Sequence, residues 1–511
     1  MAENTRSSRL AVVEEVTEGT LVDPSAGNQF IPLQPGFEFV PNVASIANEE
    51  IRGSIGQSPS IQGLEAPTAT FNEYLKHSGV EGQAPNYGLV IESAFGSVST
   101  NSTERLTAAA STTSLLKLAS GGADFDNPTT ALGKAVLVKD GTNGYSIRPV
   151  DSRSGNDLTL GFDLPAAPAA GIGVGKCVNY KPEDSGHPTM SAWLYRANGG
   201  AVEAIAGART TEMAMSLSVG ELINIAFTLN GTAFYMNPIR ITSSTNKLDF
   251  TDDDGTFAAT IPVAVYKHPD DLAAAITTAM NTANGGETHT CTFNSIGANA
   301  GKFTIVSTGT LLSLLWNSGA NTANSIASKI GFSTAADYTG TAATTGYNSS
   351  SVQSYASALT PSYDSADPMA AKYMEVLIGN ASSYESACVQ TMSISISNAV
   401  QDVLCISAES GVEGKVIQNR ATSITIVSQL KKHDADKFRR FIGNVDTKFL
   451  FNFGTKSGGN WVAGKSGCFY CPQAKITDYK HGDDNGLVTM EYTIFPYADA
   501  SGNPEIYLNF L

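Results

Sequence analysis

The sequence predicts a mainly β protein with some α+β character, and three observations support this fold class. A strand-pair pattern occurs twice, about 260 residues apart. The chain has 511 residues, more than one hydrophobic core usually supports, so about two to four domains are expected. Charged residues make up only 16%, against about 25% in an average soluble domain. Such a composition is typical of extended β-structure with a large neutral polar surface.

The first strand pair covers Thr211–Gly231. Met213 and Met215 alternate with polar or small residues, the chain reverses at Gly220, and a second alternating arm follows. Period-two alternation on both sides of a short reversal predicts a β-hairpin with one buried face. The second copy is Ala474–Phe495, in which the reversal HGDDNG is more polar. A repeated β module without a catalytic motif indicates an architectural role.

Residues 1–240 are predicted to form an N-terminal arm followed by a first β domain. The stretch 17–42 is punctuated by Pro and Gly, which predicts an extended arm rather than a packed element. Asn101–Ala119 is compatible with a short helix or with a polar loop that ends in a strand. The segments 131–150 and 157–164 have strand character around the turn signal DGTNG.

Residues 241–345 are predicted to be an inserted α+β domain. Short strands surround a helix over His268–Asn284, because Pro269 and Asp270 are typical of a helix start and Gly285-Gly286 of a helix end. A second short helix is predicted at 321–332. The Ser/Thr/Gly-rich stretch 346–368 has the composition of a linker.

Residues 369–511 are predicted to form a second β domain, with a short helix capped by Asp434. Ser60–Gly79 and Val416–Ala435 can be aligned on a shared Ile-Gln and a trailing Leu-Lys. Because both flanking regions end in the repeated hairpin, the alignment suggests an old duplication. Chance similarity between two β-sandwiches is the alternative.

The candidate chemical motifs all favour a structural interpretation. Cys468 and Cys471 form a CxxC, but no helix follows it and a second pair is absent. The acidic runs 252–255 and 483–486 lack the spacing of a calcium loop and suit tight turns. GIGVGK at 171–176 lacks the Ser/Thr and the helix of a phosphate loop. We therefore predict no catalytic, cofactor-binding or metal-binding residues, and no enzyme.

The histidines show no paired ligand spacing, and the basic run Lys431–Arg440 is predicted to be the solvated face of a helix. The formal net charge of −16 disfavours binding of nucleic acid through phosphate neutralisation. It is compatible with the wall of a passage that DNA traverses, or simply with an acidic soluble protein. No signal peptide or membrane span is predicted, and six scattered cysteines favour folding in a reducing cytoplasm.

These elements together resemble a phage tail tube protein, the major tail protein of a long non-contractile tail of the siphovirus type. The resemblance is carried by PGFEFVPN, by the IRGSIGQSPSIQG strand pair, by SLSVGELINIAFTLNG and by the closing NGLVTMEYTIFPYA and EIYLNFL. It covers most of 1–240 and 370–511. The insert resembles accessory domains of phage tail proteins.

The resemblance implies two tail-tube-type β-sandwich domains with flanking short helices, in a virion protein assembled in the host cytoplasm. Family members with one domain form six-subunit rings, so two domains per chain imply a trimeric, pseudo-sixfold ring, with a hexamer as the alternative. The rings would stack through the N-terminal arm into a hollow tube, with the insert outward. Implied partners are the chain itself, the tape measure protein, the tail terminator and the distal tail proteins. Phage DNA would pass without specific binding.

A rival hypothesis is a virion-borne adhesin or receptor-binding β protein, with the insert as its recognition module. A tube protein should polymerise by itself or on a tape-measure scaffold, whereas an adhesin should remain a discrete oligomer.

Overall fold

The computed structural model describes residues 5–50, 56, 58–126, 132–196, 201–340, 346–352, 359–408, 410–430, 435–499 and 502–511. The chain forms two compact units. The smaller comprises Met1–Arg9, Trp193–Ala204 and Phe234–Ala358, and the larger comprises Leu10–Ala192, Ile205–Ala233 and Leu359–Leu511. The predicted mainly β fold is confirmed.

The strands up to the first long hairpin are β1 (Arg9–Glu14), β2 (Phe30–Ile31), β3 (Glu38–Val40), β4 (Val43–Ile46), β5 (Ile61–Glu65), β6 (Thr68–Tyr74), β7 (Gly96–Asn101), β8 (Arg105–Leu106), β9 (Leu115–Lys117), β10 (Ala135–Val138), β11 (Ser146–Ser154), β12 (Asp157–Leu160), β13 (Gly173–Val174), β14 (Cys177–Pro182), β15 (Met190–Tyr195), β16 (Val202–Ser218) and β17 (Asn224–Asn230). The strands of the middle of the chain are β18 (Ala233–Met236), β19 (Ile239–Ile241), β20 (Lys247–Asp252), β21 (Gly255–Thr260), β22 (Ala264–Tyr266), β23 (His289–Asn294), β24 (Lys302–Ser307), β25 (Leu312–Leu314) and β26 (Tyr347–Asn348).

The C-terminal strands are β27 (Glu375–Gly379), β28 (Tyr384–Ser386), β29 (Val389–Leu404), β30 (Val412–Gln429), β31 (Thr447–Ser457), β32 (Asn460–Asp484), β33 (Leu487–Pro496) and β34 (Tyr507–Phe510). The helices are α1 (Gly88–Phe95), α2 (Pro269–Ala283) and α3 (Ala435–Ile442), with 3₁₀ turns at Thr5–Ser7, Gly27–Gln29, Gly122–Phe125 and Thr322–Asn324. Both repeated hairpins are confirmed, as β16–β17 and as β32–β33.

Eight antiparallel strands of the larger unit form a continuous sheet in the order β3-β6-β17-β16-β29-β30-β33-β32. The first four strands come from the N-terminal region and the last four from the C-terminal region. In the first half, β6 pairs with β17, the second arm of its hairpin, and α1 follows β6 in the chain. In the second half, β30 pairs with β33, the second arm of its hairpin, and α3 follows β30. This matching connectivity is what an internal duplication would produce.

The two halves match in connectivity, but the sequence alignment between them is one residue out of register. The alignment places Thr70 opposite Ile426. In the sheet, Phe71 and Ile426 are the buried residues, facing Phe227 and Tyr492 respectively. Because side chains alternate with period two, a one-residue slip exchanges the faces of a strand.

Residues 101–174 of the larger unit contribute a separate sheet in the order β8-β13-β10-β11-β12-β9. Its core includes Leu116, Val136 and Val150, all fully buried. Of the two predictions for Asn101–Ala119, the polar loop with a strand at its end is confirmed, and the helix is wrong. α1 has no counterpart among the predicted elements, because its buried Val90, Ile91 and Phe95 make it apolar on several sides.

The smaller unit contains α2 packed against short antiparallel strands. The core is formed by buried side chains including Leu248, Phe250, Ile276, Phe303 and Trp316. The predicted helix at 268–284 is confirmed, and Asp271 accepts a hydrogen bond from the backbone N–H of His268 at 3.2 Å.

The helix predicted at 321–332 is wrong. The described backbone forms a three-residue 3₁₀ turn at Thr322–Asn324, followed by tight turns. Asp249 accepts hydrogen bonds from the backbone and the side chain of Asn321. These bonds to a side chain compete with a helical ladder, and Gly331 has a left-handed φ of 78°.

The N-terminal stretch 17–42 is extended over much of its length, yet it is not a free arm. Leu21, Phe30, Ile31 and Phe39 are buried in the larger unit, and the Val22 N–H donates to Ser191. These buried residues were not predicted, because isolated apolar residues between turns produce no helical or strand periodicity in the sequence. The predicted cap Asp434 and parts of the IRGSIGQSPSIQG and linker segments lie outside the described residues. The division at 240, 345 and 368 stays a prediction.

Candidate assembly surface

One face of the eight-stranded sheet is lined by small neutral side chains. We call this surface the polar face. In its central rows, Ala214 lies between Ala226 and Ser395, and Ser395 pairs with Ser423. Residues of the polar face include Glu38, Thr70, Asn72, Tyr74, Glu212, Ala214, Ser216, Ala226, Thr228, Ser393, Ser395, Ser397, Ala421, Ser423, Thr425, Asp478, Lys480, Glu491 and Thr493. By strand register, Val427, Lys475 and Phe495 lie on the same side of the sheet.

The opposite face of the same strands is apolar and buried. Phe71, Met215, Phe227, Ile394 and Ile426 are all at most 2% exposed. Alternation of this kind along every strand anchors one face in the core and leaves the other at a surface. Strand register therefore determines which residues form the polar face.

Charges on the polar face are few and mostly negative. Glu38, Glu212, Asp478 and Glu491 are acidic, and Lys480 lies 2.8 Å from the carboxylate of Glu491. A surface of hydroxyl and methyl groups with scattered carboxylates offers few cations for phosphate. Its few basic and aromatic side chains, Tyr74, Lys480 and Phe495 among them, lie on different strands, whereas proteins that bind single strands combine a positively charged groove with a row of aromatic side chains.

The joint between the halves of the sheet is the antiparallel pair β16–β29, which extends from Glu212–Ser397 to Ser218–Thr391. At one end of the joint, the buried Asn398 amide donates hydrogen bonds to the carbonyls of Ala94 and Thr210, both at 3.0 Å. This side chain ties β29 to α1 and to β16. The joint is therefore held by backbone pairing of the two strands and by the hydrogen bonds of the Asn398 side chain.

The two ends of the sheet carry open edges. In the part of the chain that the structure describes, β3 pairs only with β6, and Lys475–Asp484 of β32 pairs only with β33. Phe438 of α3 packs against Tyr479 on the latter segment, with ring centroids 5.4 Å apart. Exposed strand edges readily pair with another chain, so these edges can extend the sheet into neighbouring copies.

The motifs singled out in the sequence take structural positions. Cys468 and Cys471 are buried in β32, and burial raises the pKa of both thiols well above the usual range, which keeps them protonated and unreactive. The acidic run 252–255 is the β20–β21 turn, and 483–486 is the β32–β33 turn. GIGVGK contributes β13.

The described part of the basic run forms α3, in which Lys437 and Arg440 are paired with carboxylates. Lys437 is buried in an ion pair with Glu385, and Arg440 lies 2.6 Å from Asp436. The predicted helix is present and Arg439 on it is exposed, while the expected absence of nucleic-acid binding stays a prediction.

One group of side chains that the sequence analysis did not connect lies in the smaller unit. Asp252, Glu287 and His289 place ligand atoms within 4.8 Å of one another. Burial lowers the pKa of His289, and the nearby Asp252 partly opposes that shift. The signal available in the sequence was Glu287-Thr288-His289, in which two ligand-type residues lie on the same side of an extended chain.

Among the described helices, none combines the length and the apolar character that a membrane span requires.

Residues 5–238 match the protein family described as phage tail tube protein. No curated protein matches the chain.

Three solved structures are similar over about a quarter of the chain. One is from the virion of a native gene transfer agent particle, at 18% identity, covering 24% of this chain and 92% of that one with a TM-score of 0.19. Another is the SPP1 tail tube, at 13% identity, covering 28% of this chain and 80% of that one with a TM-score of 0.20. The third is a type six secretion system protein, at 7% identity, covering 26% of this chain and 89% of that one with a TM-score of 0.17.

Proposed function

We propose, from the match of residues 5–238 to the phage tail tube protein family, that the chain is a tail tube protein and that its eight-stranded sheet forms the wall of the tube. The chain is a structural protein of the virion. The observation that carries the proposal is the continuous sheet with one buried face, one polar face and two open edges.

In this proposal the open edges of one copy pair with those of the next, and the sheet closes into a barrel. Closure supplies partners for the backbone groups that an open edge leaves unpaired. The polar face lines the lumen, because the apolar face is already covered by the chain's own core.

The four-strand repeat supports three chains per ring. If each four-strand half is one tube domain, three chains supply six domains, the number in a six-subunit ring of single-domain members. The ring would then contain 24 strands, from three copies of eight. The alternative, six chains per ring, would double the strand count and widen the lumen.

We place ring stacking on the β4–β5 hairpin rather than on the buried stretch 17–42. Val43, Ile46, Ile61 and Leu64 on that hairpin are 40–59% exposed. Contact with an adjacent ring would remove these apolar side chains from water. Tape measure, terminator and distal tail proteins would bind the tube at its lumen and its ends.

A passage for DNA should let phosphates slide without binding them. The neutral hydroxyl-rich face and its carboxylates supply that property. We also propose that the chain catalyses no reaction, because its role follows from assembly.

Electron microscopy of the purified full-length protein tests the proposed function. We expect stacked hollow rings, formed alone or on added tape measure protein. Discrete oligomers under both conditions would overturn the proposal and favour a virion-borne adhesin.

A further inference from the structure

Asp252, Glu287 and His289 of the smaller unit come from two segments of the chain, the end of β20 and the stretch Glu287–His289. Asp252 ends β20, Glu287 lies between α2 and β23, and His289 is the first residue of β23. The side chains of Asp252 and His289 are fully buried, and Glu287 is half-buried. The cluster therefore opens to solvent on the Glu287 side.

His289 is the strongest indication that this cluster has a ligand. Neither of its buried ring nitrogens makes a hydrogen bond of good geometry. The Nε2 atom lies 3.2 Å from Oδ2 of Asp252, and the edge-on ring of Phe250 packs against the imidazole with centroids 4.8 Å apart. A buried polar atom without a partner is costly. Its presence beside two carboxylates points to a cation that the nitrogen would bind.

The carboxylates are held in place by neighbouring donors. The Asn284 amide donates to Asp252 Oδ2 at 2.7 Å, and the Asp254 N–H donates to Asp252 Oδ1 at 3.0 Å. The Ser307 hydroxyl and the Asp253 N–H donate to Glu287. Donors that orient carboxylate ligands are the usual surroundings of a metal site.

Two glycines allow the acidic groups to approach closely. A Cβ at Gly309 would lie 2.2 Å from Glu287 Oε2, and one at Gly286 would lie 2.1 Å from Asp254 Oδ2. Any side chain at either position would displace these carboxylates. The backbone thus leaves space where the ligand atoms converge.

We propose that Asp252, Glu287 and His289 bind one divalent transition-metal ion, of which zinc is the representative. Two ligands at about 2.0 Å from a tetrahedral zinc are about 3.3 Å apart, close to the observed 3.2 Å between Nε2 and Oδ2. Imidazole favours zinc and related ions over calcium and magnesium. Water from the exposed side would complete the coordination.

Bound metal would connect the end of β20 with the stretch Glu287–His289 at the start of β23. Its role is structural, because the ion would fix these two segments of the smaller unit in one arrangement. Binding to the folded state alone raises stability. We therefore expect the midpoint of thermal unfolding to rise when zinc is added to metal-free protein.

The test uses the full-length untagged protein after dialysis against a chelator. Zinc titration by calorimetry and elemental analysis should give one ion per chain. Co²⁺ should produce visible absorption bands that indicate coordination by protein ligands. Glu287→Gln and Asp252→Asn keep the side-chain volume but should weaken zinc binding at least tenfold.

Asp337→Asn is the matched control. Asp337 is another acidic residue of the smaller unit that accepts hydrogen bonds from backbone N–H groups, but it is not part of the cluster. It should keep one zinc per chain. Absence of zinc binding by folded wild-type protein, or equal binding by wild type and Glu287→Gln, would overturn the proposal. If Asp252→Asn fails to fold, the Glu287→Gln result decides alone.

Discussion

His77 is a fully buried histidine of the larger unit, beyond the end of β6. Its ring packs edge-on against Phe510 with centroids 5.6 Å apart, and Nε2 has no hydrogen-bond partner. Burial lowers the pKa of His77 to about 4, from 6.5. The folded state therefore excludes a proton that the unfolded chain binds, so acid opposes folding at this residue.

We predict that His77→Asn reduces the acid sensitivity of the protein. A depressed histidine pKa gives stability that is present above about pH 6.5 and is lost as pH falls towards 4. At pH 5 the loss is about 2 kcal/mol. Denaturant unfolding of the wild type and of His77→Asn at pH 5 and pH 8 measures this loss of stability. An identical pH dependence of the two proteins would show that His77 does not cause it.

Glu73, at the same end of the sheet, acts in the opposite direction. Burial raises the pKa of Glu73 to about 7, although Lys76, 3.3 Å away, partly offsets that shift. Its contribution is largest at low pH and is lost as pH rises through 7. The effect of His77 is therefore obtained as the difference in free energy of unfolding between His77→Asn and the wild type at each pH, in which the contribution of Glu73 cancels.

At the scale of elements, β16–β29 is the joint that makes one sheet from two halves. Replacing Asn398 by an apolar residue removes the amide that donates to the carbonyls of Ala94 and Thr210. Each buried carbonyl that loses its donor costs about 1–3 kcal/mol. We predict that Asn398→Leu destabilises the protein by about 2 kcal/mol or more. Urea unfolding gives the value, with the exposed neighbouring change Ser397→Ala as the control. A loss below about 0.5 kcal/mol would mean that the two bonds do not stabilise the joint.

The polar face can be tested by adding a positive charge to it. We predict that Ser395→Lys makes assembled tubes bind short duplex DNA in a salt-sensitive way, because lysines in a lumen would lie close to phosphates. Wild-type tubes should bind little. Thr278→Lys, on the exposed side of α2, is the control. Co-sedimentation at low and high salt compares the three, and equal binding would argue against a lumen on this face.

The strand elements were predictable because period-two alternation shows directly in the letters. The hairpins at 211–231 and 474–495 are examples. α1 was not predictable from an amphipathic pattern, because it is buried on several sides. The pairing of β16 with β29 joins residues about 180 positions apart, and no local pattern specifies such a pair. In the cluster around His289, the local pair Glu287 and His289 was visible in the sequence, but no local pattern places Asp252 beside it.

At the scale of the whole molecule, the smaller unit has its own core, built from 239–332. A unit with its own core can be removed without opening the core of the other. We predict that replacing 239–352, the segment that holds this core together with β19 and β26, by a short Gly-Ser linker leaves tube formation intact and reduces the outer diameter of the tube. Electron microscopy of the deletion protein checks this, and loss of tubes would show that the insert takes part in assembly.

In the proposed tube, each chain contributes eight strands, as two tube domains, to a closed barrel. Cryo-electron microscopy of the assembled tube, with symmetry determined along its axis, tests this arrangement. We predict three chains per ring, 24 strands around the lumen, the polar face inward and three outer protrusions. Six chains per ring, or a lumen lined by any other surface, would contradict it.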